Sequence, residues 1–460
     1  MSNLKSHLTV LTRVIPFEAQ TRPDLSQLHA LNPERYPFLL ESVAKGGLGE
    51  FDILFACPLE TIPLHNVAEK ASFLNRANAQ FEQCQVDSCD NEFDLPFTGG
   101  WFAYFSYDYA QVVEPVLDLP KSKFPLAVLT RIPAAVIIKH ATQELFLVAE
   151  PDQAEALDQM EADVHALFTS NFSPPSIKTL LSTEEPDEKY LNGIQAIKEY
   201  ILSGDIFQVN LSRQWQVSLE KNVTALAVYR ALREHNPAPF AALARFTDQH
   251  GKPWHIISSS PERLVKYQAP WVEARPIAGT RKRSADLTAD QALMDELIAH
   301  PKERAEHIML IDLVRNDLGR ICQHGTVEVN ELMVVETYEH VHHIVSNVRG
   351  KLQAGLSPLE ILHAVFPGGT ITGCPKIRCM EIIAELEQMP REAYTGSLGY
   401  INRDGSLDLN ILIRTMIQFE QKGVPTVQFK AGGGIVADSI AEQELKEAGH
   451  KAKGLINALS

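Results

Sequence analysis

Ile411-Leu-Ile-Arg-Thr-Met-Ile-Gln-Phe419 and Thr426-Val-Gln-Phe-Lys-Ala-Gly-Gly-Gly434 are two strand-like runs, the second ending in three consecutive glycines. Upstream, Gly399–Ile401, His342–Val348 and Val327–Val335 carry the same apolar, β-branched character. Nearer the start, so do Phe51–Phe55, Ala127–Ile132, Ala135–Lys139 and Tyr36–Ser42. Helical patterns interrupt them. Tyr190, Ile194, Ile197 and Ile201 repeat at 4-3-4 spacing on one face, Gly204 ends that helix, and Ile206–Leu211 resumes as a strand. Asp286–Gly319 reads as two helices broken at Pro301, because proline removes a donor and clashes with the preceding turn. Ser439 is placed to cap a last helix running towards Leu459. The regular βαβ alternation of a doubly wound sheet is missing, which predicts an α+β fold with large antiparallel sheets.

The 460 residues can bury a large core, and the formal net charge of -16 argues against binding to nucleic acid or anionic lipid. No apolar run reaches the roughly 18–20 residues that cross a bilayer. Lys5, His7 and Arg13 break up the first seventeen residues, so they do not read as a signal peptide. Six scattered cysteines without a CxxC pair read as reduced thiols of a cytoplasmic protein. The composition shifts once, at the Ser-, Thr- and Pro-rich stretch 169–189, expected to be a linker or surface loop between an N-terminal region 1–168 and a catalytic region 190–460.

Several residues could carry chemistry. Glu303 and Glu306 share one helical face, as do Glu444 and Glu447 in the last helix. If the two helices converge, the four carboxylates suit a hard divalent cation; taken singly, each pair has the spacing of a solvated face. Gly432–Gly434 would allow close backbone approach to an anion, or form a tight turn without a ligand. Pro367–Lys376 is glycine-rich but is not a Walker A loop, since no Ser or Thr follows Lys376. Lys376 and Arg414 offer positive charge to a small dicarboxylate; a surface lysine and a structural ion pair are the plainer readings. His342 and His343 adjoin in a strand, so one can face a pocket while the other packs away. Glu262 in Ser260-Pro-Glu-Arg263 reads either as a functional acid or as an ion-pair partner.

Together these fragments resemble the chorismate-utilising enzymes, which include the component I chains of anthranilate and aminodeoxychorismate synthases and the isochorismate and salicylate synthases. The resemblance rests on Ser203-Gly-Asp-Ile-Phe-Gln-Val-Asn210, Ser260-Pro-Glu-Arg263, Arg275-Pro-Ile-Ala-Gly-Thr280, Arg304–Asp317, Val341-His-His-Ile-Val-Ser346, Gly373-Cys-Pro-Lys376, Ile413-Arg-Thr415 and Ala431-Gly-Gly-Gly-Ile-Val-Ala-Asp438, in family order. Before residue 169, Leu39-Leu-Glu-Ser42 and Phe97–Asp108 match more loosely the region shared by the two amine-transferring synthases.

That resemblance implies two large antiparallel sheets packed together and flanked by helices, with chorismate between them. It implies Mg²⁺ on Glu306 and Glu447, with Glu303 and Glu444 beside them or acting through water. Glu262, His343 and Lys376 take the catalytic positions by match, while Thr280, Tyr394, Arg414 and Gly432–Gly434 take those that grip the substrate. Ser42, Pro239 and Phe240 match the family's tryptophan pocket. Ammonia would come from a glutamine amidotransferase subunit. His342–His343 and Thr372 lean towards the aminodeoxychorismate branch and its role in 4-aminobenzoate formation. Ala278 leans towards the anthranilate branch, because many aminodeoxychorismate synthases carry a lysine there. A rival of another class is a non-catalytic tryptophan-binding subunit, against which the intact Glu306, His343, Arg414 and Glu447 set argues.

Overall fold

The computed structural model describes residues 7–18, 22–43, 49–167, 175–284, 286–338 and 341–460. Two antiparallel sheets of twelve and ten strands dominate it. The larger runs in the order Thr179–Glu184, Gln208–Leu219, Val424–Ile435, Thr415–Gln421, Pro253–Ser260, Phe240–Thr247, Phe38–Glu41, Phe51–Ala56, Ala134–Lys139, Glu144–Ala149 and Leu11–Pro16, with Gly373–Cys374 paired to Gln208–Leu219. Strands from both sides of residues 169–189 therefore share one hydrogen-bonded sheet. Of that stretch, 169–174 lies outside the described residues, Thr179–Glu184 is an exposed edge strand, and a helix begins at Asp187.

The ten-stranded sheet includes Ile277–Lys282, Val341–Lys351, Arg263–Gln268, Leu407–Asn410, Ser397–Asn402, Gly100–Phe105 and Ala127–Ile132. Alternation along the strands divides the core, because successive side chains point to opposite faces. In Phe240–Thr247, Ala242, Ala244 and Phe246 join Phe38, Phe102, Tyr104 and Trp254 in an aromatic core. Ala241 and Leu243 belong instead to a second core with Leu226, Tyr229 and Leu455 of flanking helices. The α+β class, with large antiparallel sheets and flanking helices, is observed as expected. Among the described residues no helix is long and apolar enough to cross a membrane.

Leu287–Ala299 and Pro301–Gly319 are the two expected helices, separated at His300 with Pro301 opening the second. Two local expectations are corrected. Gly432–Gly434 is not a turn but the end of the strand Val424–Ile435, paired with Asn210, Leu211 and Ser212. A Cβ on Gly432 would fall on the carbonyl oxygen of Leu211, so glycine is needed here for close strand approach. Ser439 does not cap the helix Ala441–Asn457, whose N-cap is Ile440; its hydroxyl donates instead to Glu444 Oε1 at 2.7 Å.

Candidate active site

Two neighbouring strands pass from one sheet to the other at the same place. Pro253–Ser260 lies in the large sheet and Arg263–Gln268 in the smaller; Leu407–Asn410 and Thr415–Gln421 make the reverse passage. The crossings hold each other: Ile411 N donates to Glu262 O at 3.0 Å, and Ser259 N to Arg414 O at 3.1 Å. Glu262 and Arg414 are thus the side chains at the crossover. Arg414 adopts a left-handed backbone with φ 52°, a conformation uncommon outside glycine and enriched where function fixes it.

Burial sets the electrostatics. It pushes the Glu262 carboxyl up to about 7, against the opposing effects of a 2.9 Å hydrogen bond from Thr370 Oγ1 and the charge of Arg414. Burial also pushes the Arg414 guanidinium below its ordinary value, with Glu262 opposing. His343 is driven down to about 4, first by burial and then by Arg414, so it is neutral at physiological pH. Its Nδ1 lies 2.9 Å from the hydroxyl of Thr280, the residue opposite it in the ladder. Glu262 and His343 are buried and, with Arg414, Thr370 and the exposed Thr280, make up a set that combines an acid, a cation and a neutral base.

His342 points elsewhere: its Nε2 lies 3.0 Å from Asp290 and its Nδ1 2.9 Å from the Thr337 hydroxyl. Lys376 donates to Asp317 Oδ2 at 2.7 Å. Asp317 lines a void of about 20 Å³ with Glu262, Arg275 and Thr370, so Lys376 stands behind it. Tyr394 is buried under the guanidinium of Arg391, 5.5 Å from its ring centroid. Ala278 is buried opposite Ile344 and offers no nucleophile. The nearby Lys282 is exposed, while Arg281 and Arg283 are held by Glu303 and Asp290.

Both glutamate pairs border this region. Glu303 Oε1 accepts from Arg281 at 2.7 Å, whereas its Oε2 is buried with no partner. Gly279, at φ +72°, lets the backbone pass Glu303, because a Cβ there would overlap the carboxylate. Glu306 accepts from Gln208 Nε2 at 3.0 Å, and that amide packs on Gly434. On Gly433 a Cβ would lie 3.2 Å from Lys451 Nζ, 3.6 Å from Glu447 Oε1 and 3.7 Å from Glu444 Oε2. The side-chain-free strand end thus faces the carboxylates of the last helix and, through Gln208, is linked to Glu306, and Lys451 holds Glu447 at 2.8 Å. Among the described residues no three His, Cys, Asp or Glu side chains are grouped closely enough to hold a metal ion. The donor set is all oxygen and leaves one Glu303 oxygen orphaned, chemistry that suits a hard cation, while Arg281, Gln208 and Lys451 engage the carboxylates of Glu303, Glu306 and Glu447.

Ser42, Pro239 and Phe240 line a separate cavity of about 140 Å³ with Glu41, Arg263, Lys266, Tyr400, Asp408 and Asn410. The Ser42 hydroxyl donates to Pro239 O at 2.7 Å, and Arg263 stacks over Phe240 while forking onto Asp408. Sequence reasoning missed Thr370, Gln208 and Asp317 as partners of the site. Each lies inside or beside a quoted motif, but its pairing is a tertiary fact.

A family model described as chorismate binding enzyme matches residues 35–457. An anthranilate synthase component I-like protein of Synechocystis is 44% identical over 79% of this chain and 73% of its own length. Aminodeoxychorismate synthase component 1 of Bacillus subtilis is 41% identical over 79% of this chain and 77% of its own. The crystal structure of anthranilate synthase component I from Streptococcus pneumoniae superposes with a TM-score of 0.72 at 29% identity, covering 88% of this chain and 92% of that one. The crossover set just described therefore sits in a chain that belongs to the chorismate-binding enzymes.

Proposed function

We propose that the protein is an aminodeoxychorismate synthase component I, turning chorismate and ammonia into 4-amino-4-deoxychorismate and water. The observation that supports catalysis at this site is that Glu262 and His343 both lie within the electrostatic reach of Arg414, with pKa values displaced first by burial. Arg414, Thr280, Tyr394 and the backbone of Gly432–Gly434 grip the substrate. Glu262, its proton retained to about pH 7, protonates the departing C4 hydroxyl. Neutral His343, oriented by Thr280, lies beside the leaving group.

With alanine at 278, water or ammonia attacks C2 as the C4 hydroxyl departs. Ammonia then attacks C4 and the C2 substituent leaves, so the ring keeps its enolpyruvyl group. Glu306 and Glu447 would hold Mg²⁺ directly, with Glu303 and Glu444 beside them or through water. Bound there, the ion supplies positive charge to the ring carboxylate and to the leaving oxygen. Lys376 pairs with Asp317, opposing the rise that burial gives its carboxyl, and acts from behind the void. A glutamine amidotransferase subunit supplies the ammonia, the pair working in the cytoplasm, and the 140 Å³ cavity takes tryptophan.

The aminodeoxychorismate assignment is supported by the His342–His343 and Thr372 pattern and by the 41% identity to the Bacillus subtilis protein. Ala278 and the other relatives favour a second reading, anthranilate synthase. Product analysis separates them. Chorismate, Mg²⁺ and ammonia should yield 4-amino-4-deoxychorismate without pyruvate; fluorescent anthranilate with stoichiometric pyruvate would establish the second reading.

A further inference from the structure

Arg391 lies outside the stretches that carry the family resemblance in the sequence, yet it is heavily engaged among the described residues. It is 2% exposed. Its Nε and Nη2 fork onto the Glu387 carboxylate, with Nη2 2.6 Å from Oε1. Nη1 donates to Ile371 O at 3.1 Å and Nη2 to Asn210 O at 2.7 Å. The guanidinium plane lies between two aromatic rings, 4.8 Å from the centroid of Tyr107 and 5.5 Å from that of Tyr394. Glu387 is in turn held by the Ser212 hydroxyl and backbone and by Lys430, 3.6 Å away.

These contacts lead to the site from three directions. Ile371 follows Thr370, whose hydroxyl holds Glu262. Asn210 lies two residues from Gln208, which holds Glu306, and opposite Gly434 in the ladder. Tyr394 is itself a substrate-contact position in the reading above. The segment carrying it is also strained: Gln388, Glu392 and Thr395 all have left-handed backbones, with φ 55°, 54° and 62°. Left-handed φ is costly for a β-branched residue such as Thr395 and persists only where surrounding contacts over-determine it. Arg391 supplies one such contact, at 3.4 Å from Thr395 Oγ1.

A fully buried ion pair is weak evidence for stability alone, since apolar replacements of similar volume often serve as well. We propose that Arg391 is a positioning residue, which fixes Tyr394 and the 369–372 turn so that the tyrosine and Glu262 meet the substrate in register. The inference rests on chorismate turnover at this site, and wild-type turnover measures that reading separately.

Against that baseline, Arg391→Lys keeps the charge opposite Glu387 but cannot span Ile371, Asn210 and both rings at once. It should raise KM for chorismate by about tenfold, as expected when a side chain that grips bound substrate, here Tyr394, is displaced. It should also shift the alkaline limb of the pH–rate profile, because Thr370 no longer holds Glu262 as firmly. The loss should be non-additive with Tyr394→Phe, since both changes act through one ring. Thr395→Gly offers a second route that relieves backbone strain and leaves the guanidinium in place: melting temperature should hold or rise while KM rises. Additive losses with an unmoved pH limb, or wild-type kinetics in both Arg391→Lys and Thr395→Gly, would overturn the proposal.

Discussion

Glu262 couples stability to pH, and under the proposed function the same carboxyl is the acid of the reaction. Its ordinary value is 4.5 and its folded value about 7, raised by burial. Below pH 4.5 both folded and unfolded chains hold the proton. Between 4.5 and 7 the unfolded chain has released it while the folded chain keeps it, so stability falls as pH rises through that window; the loss is complete above about 7. Glu262→Gln removes the titration while keeping an acceptor for Thr370. It should be more stable than wild type by about 1–3 kcal/mol at pH 8 and not at pH 4. Chorismate turnover should drop by roughly 10²–10⁴-fold, the usual worth of a general acid. Denaturant titrations at the two pH values check the first part and initial rates the second; equal gains at both pH values would remove the buried-acid reading. Sequence left Glu262 ambiguous because Arg263 follows it, and adjacency suggested an ion pair. The structure turns Arg263 towards Asp408 and gives Glu262 to Thr370 and Arg414, a division no linear pattern records.

At the scale of elements, the two glutamate helices differ in what their sequences reveal. The break at Pro301 and the i, i+3 pairing of Glu303 with Glu306 are legible, because proline and helical periodicity are local rules. That the last helix packs on the end of Val424–Ile435, and that Gln208 links Glu306 to the same strand end, is not. Three glycines fit a turn as well as a strand, and only pairing with Asn210–Ser212 decides between them. The same limit hid Arg281, Gln208 and Lys451, which occupy the carboxylates. These partners make a prediction for the metal. Glu447 is exposed and its pair with Lys451 is a surface i, i+4 bridge, so Glu447→Gln should leave the melting temperature near that of wild type. Glu306→Gln keeps the shape that meets Gln208. Both variants should lose most turnover at low Mg²⁺ and recover part of it as Mg²⁺ is raised, which rate measurements across a Mg²⁺ series would show. Unchanged rates and Mg²⁺ dependence in both would take these residues out of the ligand set.

Over the whole molecule, the sequence conveyed the α+β class and most strands but not how the sheets connect. The run Ile411–Phe419 looks like a single strand, yet it becomes one only at Thr415; Ile411–Arg414 is the passage between sheets. That passage, with its partner at Glu262, also borders two cavities. Arg263 lines both the void at Glu262 and the 140 Å³ cavity of Ser42, Pro239 and Phe240, so the two sites are neighbours across one residue of backbone. Tryptophan entering the larger cavity would meet Arg263, Asp408 and the Ser42–Pro239 hydrogen bond, groups that the folded chain alone brings together. Ligands that bind only the folded state stabilise it by mass action, by about 2.7 kcal/mol at a concentration one hundred times Kd. Tryptophan should therefore raise the melting temperature, and Ser42→Phe, which fills the cavity from its rim, should abolish the shift. If occupation moves Arg263, chorismate affinity must change, and tryptophan affinity must change by the same factor when chorismate is bound. Calorimetric titration of each ligand with and without the other, on the slowed Glu262→Gln enzyme and without ammonia, measures both sides. A melting temperature indifferent to tryptophan would remove the ligand from this cavity, while binding without reciprocal coupling would leave it a structural ligand with no grip on the site.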